Sequence, residues 1–293
     1  MTPRVVVIGD ALIDELRDDD GVREFVGGAG LNVAVGLSRL GVPATLVAMV
    51  GDDAAGAQIR AYLDEFDVEL LASPAPHGTS RAVSTRSAGG EPVYVFNEAA
   101  QNRRVVFGAA EREAMDAAAM VVVSCFPFDD EAQTDELVDA ASSPSTPLAI
   151  DPNPRTGMMR DRAAFVRGFE KAAAGALLVK VGEDDAEVLY GSSLEELRTR
   201  LRDLGVGAVL ATYGAGGAAV DAGDVTVARG ISELPGRIVD TMGGGDAVLA
   251  TTVSLVRDAL PAGEDAWAAV MQRAMDVAAA TCREEGALLR VPE

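Results

Sequence analysis

Short apolar runs alternate along this chain with longer segments in which apolar residues recur every three or four positions. The runs predict buried β-strands, and the longer segments predict helices that bury one face. Strands that alternate with helices pair in parallel, because a right-handed crossover returns each new strand to the same sheet. The alternation therefore predicts an α/β fold, with a doubly wound, mostly parallel sheet flanked by helices. The predicted strands are residues 5–9, 45–50, 120–125, 148–151, 176–181, 208–213 and 218–223.

Two stretches break this alternation and predict β-hairpins. Residues 17–28 place a polar Asp-Gly turn between two short strands, and residues 79–98 place Gly89-Gly90 at the corresponding position. We interpret the chain as one α/β domain with two inserts, at about 11–27 and 78–104 of residues 1–293. Together the inserts could form a small β-sheet lid over the carboxyl ends of the parallel strands, where α/β proteins bind ligands. Hairpins without a role in binding are the alternative.

The composition limits the partners of the chain. Its formal net charge is −21, and nucleic-acid binding depends on neutralising phosphates with Lys and Arg, so we expect no nucleic-acid partner. A small anionic ligand is still compatible, because helix N-termini and a few arginines can build a local positive site. The sequence holds one histidine, His77, which excludes multi-histidine metal sites and histidine-based triads.

The predicted location of the chain is the cytoplasm. No apolar run approaches the length needed to span a membrane, and the N-terminal MTPRVVVIGD lacks the longer apolar segment of a secretion signal. Cys125 and Cys282 lie far apart and match neither a metal-binding nor a redox spacing. We therefore expect a reduced, cytoplasmic protein without a membrane partner.

The most specific local signal is the stretch VDTMGGGDAVLAT, residues 239–251. Glycine is a poor helix former, yet Gly243, Gly244 and Gly245 stand where a nearly wholly apolar helix begins. Unobstructed N–H groups at a helix N-terminus bind anions, and the carboxylate of Asp246 beside them could orient or deprotonate a hydroxyl. This combination favours phosphoryl transfer. A helix cap is the alternative role of Asp246.

A second glycine cluster precedes the first predicted helix, in GGAGLNVAVGLSRLG. Gly27, Gly28 and Gly30 would let an oxygen-rich ligand approach the backbone, and Asn32 could donate and accept hydrogen bonds. Asp14 lies just past the first strand, where a carboxylate can accept hydrogen bonds from hydroxyls. Close packing of the turn is the alternative explanation. The cluster is neither a Walker A loop nor GxGxxG, which disfavours a dinucleotide-dependent oxidoreductase.

Both glycine segments resemble signatures of the ribokinase-like (PfkB-type) carbohydrate kinases. VDTMGGGDAV is similar to their Asp-Thr-x-Gly-Ala-Gly-Asp signature, and GGAGLNVAVGLSRLG to their N-terminal Gly-Gly-x-x-x-Asn signature. Similar segments follow in order at 50–56, 179–191, 211–217 and 280–287, so the resemblance covers essentially the whole chain. It implies a sugar kinase that binds ATP, Mg²⁺ and a monovalent cation such as K⁺. It also implies a lid sheet and, by analogy, a homodimer formed through the lid.

The resemblance implies a role for each matching residue. Asp246 would be the catalytic base, and Gly243, Gly244 and Gly245 would form the anion hole. The sugar would be held by Asp14, Gly27, Gly28, Asn32, Arg155 and Asp246. The nucleotide would be held by Lys180, Thr212, Gly214, Gly217, Gly243, Gly245 and Asp276. Asp185, where the family's Asn-x-x-Glu motif has its Glu, would face magnesium, and Asp240 would shape the turn and face the monovalent cation.

The segment DPNPRTGMM, residues 151–159, bears on the acceptor. It resembles the Asp-x-Asn-x-Arg segment of fructokinases and 2-keto-3-deoxygluconate kinases. Arg155 could reach a substrate carboxylate, a hydroxyl or the transferring phosphoryl group, or it could pair with Asp151. We expect a kinase closest in pattern to fructokinases, acting on a primary hydroxyl of fructose or a similar ketose. The alternatives are a 2-keto-3-deoxygluconate-type sugar-acid kinase, then a ribose or nucleoside kinase, and an inactive sugar-binding homologue.

Overall fold

A computed structural model describes residues 3–18, 21–85, 93–143 and 146–292, and the fold is stated for these residues. The first strands are β1 (Val5–Gly9), β2 (Leu12–Asp18), β3 (Gly21–Gly27), β4 (Ala44–Met49), β5 (Glu69–Ser73), β6 (Ser80–Thr85) and β7 (Val93–Phe96). The later strands are β8 (Met120–Ser124), β9 (Leu148–Asp151), β10 (Leu178–Gly182), β11 (Ala208–Thr212), β12 (Ala218–Ala222) and β13 (Val225–Arg229).

Helices connect most of these strands. They are α1 (Ala29–Arg39), α2 (Ala54–Glu65), α3 (Glu98–Gln101), α4 (Ala109–Asp116), α5 (Glu131–Ala140), α6 (Arg162–Ala173), α7 (Glu183–Asp185), α8 (Leu194–Asp203), α9 (Gly244–Val256) and α10 (Glu264–Thr281). Helix α7 continues as a π-helical turn, Ala186–Tyr190, and Gly214–Gly216 forms a 3₁₀ turn. None of the helices in the described ranges is both long and apolar enough to cross a bilayer.

The large sheet is mostly parallel, as the alternation predicts. Its strand order is β13-β12-β11-β10-β9-β8-β1-β4-β5, and every pairing from β11 to β5 is parallel. At one edge β12 and β13 add an antiparallel hairpin. The sequence pattern missed the two edge strands, β5 and β13. Both are only partly buried and carry polar residues, so neither forms a continuous apolar run.

The core lies on both faces of this sheet. In β1, Val5 and Val7 pack toward α1, α9 and α10, whereas Val6 and Ile8 pack toward α5, α6 and α8. All four side chains are almost completely buried, which explains why β1 is continuously apolar rather than alternating. Helix α9 packs between α1 and α10, and this position accounts for its nearly wholly apolar sequence.

The two predicted hairpins pair with each other in a second sheet of order β3-β2-β6-β7. Strands β2 and β3 are antiparallel, β2 and β6 are parallel, and β6 and β7 are antiparallel. The predicted hairpin at 17–28 begins earlier, because β2 starts at Leu12. The Gly89-Gly90 turn of the second hairpin lies outside the described residues. We call this second sheet the lid, since one of its faces lines the cleft described next.

Candidate active site

A cleft of about 370 Å³ separates the lid from the turn that leads into α9. Its lining comes from the lid, from the segment before α9 and from the loop after α10. The residues are Asp14, Glu15, Leu16, Arg23, Phe25 and Ser84, then Ile238, Val239, Asp240, Thr241 and Met242, and then Glu285 and Gly286. One face of the second sheet therefore lines this cleft, whereas closure of that sheet over a bound ligand stays a prediction.

The turn before α9 explains its three glycines. Gly243 has φ 73°, and a Cβ there would lie 2.7 Å from Ala287, so the backbone needs glycine. A Cβ on Gly245 would lie 3.3 Å from Lys180 Nζ, which shows how closely this lysine approaches the turn. Among the described residues, the N–H groups of Gly243, Gly245 and Asp246 donate to no protein atom, whereas that of Gly244 donates to Thr241 O at 3.2 Å. The turn therefore presents unused donors at a helix N-terminus, suited to an anion.

Asp246, in the first turn of α9, does not cap its own helix. Asn32 Nδ2 donates to Asp246 Oδ2 at 2.8 Å, joining residues that are 214 positions apart. The pKa of Asp246 is raised to about 6, chiefly by burial and also by Asp151, while the Asn32 hydrogen bond, Lys180 and Arg155 oppose the rise. A carboxylate with a pKa in this range suits acid–base chemistry near neutral pH.

The turn before α1 brings the sugar-side candidates to the same place. Gly28 has φ 109°, and a Cβ there would lie 2.7 Å from Asp10 O. A Cβ on Gly27 would collide with Asp14 Oδ2, so this glycine makes room for the carboxylate. The pKa of Asp14 is raised to about 6, chiefly by burial and also by Asp10 and Asp246, while Arg155 opposes the rise. The two glycine segments thus meet around a pair of carboxyl groups.

Asp10 is a contributor that we did not single out from the sequence. It is 8% exposed and its Oδ1 accepts a hydrogen bond from Gly30 N at 3.0 Å. Its carbonyl oxygen accepts another from Leu31 N, so Asp10 fixes the start of α1 against the end of β1. The available signal was its position directly after the first strand, at the edge where the parallel strands end.

Lys180 and Asp151 form a buried ion pair beneath the turn. Lys180 Nζ lies 3.1 Å from Asp151 Oδ2, and the residues are 8% and 0% exposed. Asp151 Oδ1 is buried and has no hydrogen-bond partner among the described residues. Burial lowers the pKa of Lys180, but Asp151, Asp185 and Asp246 outweigh it and raise the pKa overall. Lys180 therefore stays charged beside Gly245.

Arg155 does not pair with Asp151, the alternative that the sequence left open. Among the described residues, its guanidinium makes no hydrogen bond or ion pair, although it lies near several acids. Desolvation lowers its pKa, but Cys125, Asp10 and Asp246 raise it overall. Arg155 is also exposed, so this cation is accessible to a ligand in the site.

The nucleotide-side candidates occupy the neighbouring strand ends. Thr212 pairs with Gly182 across β10 and β11, and its Oγ1 donates to Val181 O at 3.4 Å. Gly214 begins the 3₁₀ turn, and Gly217 O accepts from Tyr213 N at 2.9 Å. Asp276 lies farther away, on α10, where its Oδ1 accepts from Ser232 Oγ at 2.6 Å. Binding of a nucleotide by these residues stays a prediction.

The two metal candidates already accept backbone hydrogen bonds. Asp185 Oδ2 accepts from Gly182 N at 2.6 Å, and burial raises the pKa of Asp185. Asp240 accepts from Met242 N at 3.0 Å and from Gly286 N at 3.2 Å. Nowhere in the described ranges do three or more Asp, Glu, His or Cys side chains form a cluster suited to a metal. The metal roles of Asp185 and Asp240 therefore stay predictions.

Known proteins resemble this chain over most of its length. A fructokinase of Klebsiella pneumoniae is 27% identical over 311 residues, covering 100% of this chain and 97% of that protein. An ATP-dependent 6-phosphofructokinase of Thermoanaerobacterium thermosaccharolyticum is 25% identical over 256 residues, covering 83% of this chain and 78% of that protein. A crystal structure of a fructokinase with bound ATP from Xylella fastidiosa aligns with a TM-score of 0.83 at 18% identity, covering 98% of this chain and 94% of that one.

A sequence model of a whole family also matches this chain. The sequence model described as pfkB family carbohydrate kinase matches residues 2–293. Both glycine signatures lie inside that match, and the fold has the parallel sheet and lid that they imply. The chain belongs to the pfkB family of carbohydrate kinases.

Proposed function

We propose that the protein transfers the γ-phosphoryl group of ATP to a primary hydroxyl of a monosaccharide, with fructose or a similar ketose as acceptor. The observation that carries this proposal is the first turn of α9. There Asp246 lies beside N–H groups that donate to no described protein atom. A base for the acceptor hydroxyl and an anion site for the phosphoryl group thus share one turn.

Asp246 would take the proton of the acceptor hydroxyl. Asn32 occupies its Oδ2, so Oδ1 is the oxygen left for the sugar. A pKa of about 6 leaves most of the group ionised at neutral pH, and basic enough to accept the proton as the new bond to phosphorus forms. The transfer would be direct and in line, without a phosphoenzyme, and closure of the lid would exclude water.

The charge of the transferring group would be held by amides and two cations. The N–H groups of Gly243 and Gly245 have no described protein acceptor, and Lys180 Nζ approaches the same turn. Arg155 lies near Asp246, which the turn also carries. Such donors stabilise charge on the phosphoryl oxygens. Magnesium, when bound, would neutralise phosphate charge, held largely by nucleotide oxygens and water, with Asp185 as the protein carboxylate facing it.

The remaining candidates would bind the nucleotide, a monovalent cation and the sugar. Thr212, Gly214, Gly217 and Asp276 would line the nucleotide, and Asp240 would face K⁺. Asp14, Gly28 and Asn32 would hold sugar hydroxyls. The match to a fructokinase over the whole chain and the DPNPR segment both favour a ketose. The homodimer formed through the lid and the cytoplasmic location stay predictions from the sequence.

Acceptor preference can be measured directly. Purified protein with ATP and magnesium is expected to release ADP fastest with fructose in a panel that includes 2-keto-3-deoxygluconate, ribose and adenosine. The panel should be compared by kcat/KM in a coupled ADP assay, because discrimination is expressed in that ratio. A higher value for any other acceptor would reassign the substrate. No turnover with any of them, but retained sugar binding, would favour the inactive homologue.

The hydrogen bond from Asn32 predicts a shift in the pH profile. This bond opposes the rise in the pKa of Asp246, so Asn32→Ala should raise that pKa further. The base works only when ionised, so activity falls as pH falls, and the acid limb of kcat/KM should move to higher pH. Lys180, Arg155, Asp151 and Asp14, which also act on Asp246, are unchanged in this variant.

The control for this experiment is Asn102→Ala. Asn102 is an exposed asparagine whose amide donates to Glu98 O, away from the cleft. Its profile should overlay that of the parent protein. An acid limb that does not move in Asn32→Ala would show that Asn32 has no influence on the base.

A further inference from the structure

An ion pair between two residues that line the cleft bridges the lid and the loop after α10. Arg23 Nη1, on lid strand β3, contacts Glu285 Oε1 in the loop after α10, and the two residues are 262 positions apart. Both residues line the cleft together with Asp14. The contact therefore joins the lid to the body of the protein at the place where an acceptor would lie.

Strand register places Arg23 on the lid face that carries Asp14. Arg23 pairs with Leu16, and Phe25 pairs with Asp14, in the antiparallel ladder of β2 and β3. Directly paired residues share a face, and so do residues two apart on one strand. Arg23 is thus on the same lid face as Asp14, about 7 Å farther along the strands. This distance puts the ion pair toward the far end of an acceptor whose near end contacts Asp14.

The charges of the cleft are unfavourable for an anion. Its described lining includes the acidic residues Asp14, Glu15, Asp240 and Glu285, and Arg23 is the one described cation in that lining, since Arg155 lies near Asp14 but outside it. Glu285 already neutralises that cation. The Glu15 carboxylate is turned to the other lid face, where it contacts Arg17 and Arg81, so the acids that face the cleft are Asp14, Asp240 and Glu285. A phosphate or carboxylate on the acceptor would have to compete with Glu285 for Arg23.

Building on the proposed function, we propose that Arg23 and Glu285 are specificity-determining residues that select uncharged sugars and reject sugar phosphates and sugar acids. The hydroxyls of an uncharged sugar can accept from Arg23 and donate to Glu285 while the pair stays intact. An anionic substituent gains from Arg23 only what it loses to the repulsion of Glu285. Neutralising Glu285 should therefore make the cleft more tolerant of anionic acceptors.

The test compares fructose with fructose 6-phosphate by kcat/KM. The parent protein should strongly prefer fructose. Glu285→Gln should raise the ratio of kcat/KM for fructose 6-phosphate to kcat/KM for fructose by about tenfold or more, because a like-charge contact with the phosphate is removed. The matched control is Glu24→Gln, a neighbouring lid glutamate that pairs with Arg81 on the opposite face. It should leave both values near those of the parent.

A second variant separates a specific effect from a loosened lid. In Arg23→Gln/Glu285→Gln the gain for fructose 6-phosphate should disappear, because the gain depends on the charge of Arg23. Persistence of the gain in the double variant, an equal gain in Glu24→Gln, or no gain in Glu285→Gln would each overturn the inference. A parent protein that prefers fructose 6-phosphate would overturn it while leaving a sugar kinase in place. No turnover with either acceptor or with any sugar would overturn the proposed function and this inference together.

Discussion

Asp246→Asn is expected to lower turnover by at least about 10²-fold, the scale of a missing general base. The asparagine keeps the volume of the side chain, and its amide oxygen can still accept the hydrogen bond from Asn32. It cannot take a proton from the acceptor hydroxyl. The N–H groups of the turn are unchanged, so binding of sugar and nucleotide should largely survive.

The measurement is kcat from the coupled ADP assay, together with the sugar dissociation constant by calorimetry. Asp258→Asn is the control, because that side chain is 81% exposed on the loop after α9. It should have turnover like that of the parent protein. Near-normal kcat in Asp246→Asn would remove Asp246 from the role of base. Loss of sugar binding together with kcat would instead indicate a change in the shape of the cleft.

Lys180→Met should lower the free energy of unfolding by about 3–5 kcal/mol, the usual cost of removing one partner of a buried ion pair. Asp151 is 0% exposed, and its Oδ1 already has no hydrogen-bond partner among the described residues. Without the lysine, its remaining carboxylate charge would be buried and uncompensated. The methionine fills a similar volume, so most of the loss would come from charge rather than from a cavity.

Urea unfolding of the parent protein and the variant would measure this change, provided that the unfolding free energy depends on urea concentration with the same slope in both. Lys171→Met is a matched control, because Lys171 and Asp135 form an exposed pair at 2.6 Å with side chains 53% and 55% exposed. Its cost should be at most about 1 kcal/mol. Lys180→Met/Asp151→Asn should recover most of the lost stability. Equal costs for the two lysine variants would contradict the assignment of a buried, charged pair.

The part of the fold that the sequence predicted best is the regular alternation of apolar strands and helices. Continuous apolar strands such as Val5–Gly9 are buried on both sheet faces, so their sequence carries a strong signal. The edge strands Glu69–Ser73 and Val225–Arg229 have a weaker sequence signal, because they are only partly buried and include polar residues. The predicted parallel sheet and the family are confirmed by the fold and by the family match.

The candidate site was predictable where one segment contains the whole signal. Gly243, Gly245 and Asp246 are neighbours in the chain, so their combination could be interpreted locally. The Lys180–Asp151 ion pair could not be predicted in this way, because it depends on the pairing of β9 with β10 in the sheet. The Arg23–Glu285 pair depends in addition on how the lid meets the last loop.

The hydrogen bond between Asn32 and Asp246 has a consequence for the order in which the protein matures on the ribosome. Its partners are 214 residues apart, so Asn32 is synthesised long before Asp246, the proposed base. Helices α9 and α10, which cover one face of β1, are also synthesised last. A chain that ends before Gly243 would carry a bare apolar face and would lack the proposed base, so we expect phosphorylation of a sugar only when synthesis is nearly complete.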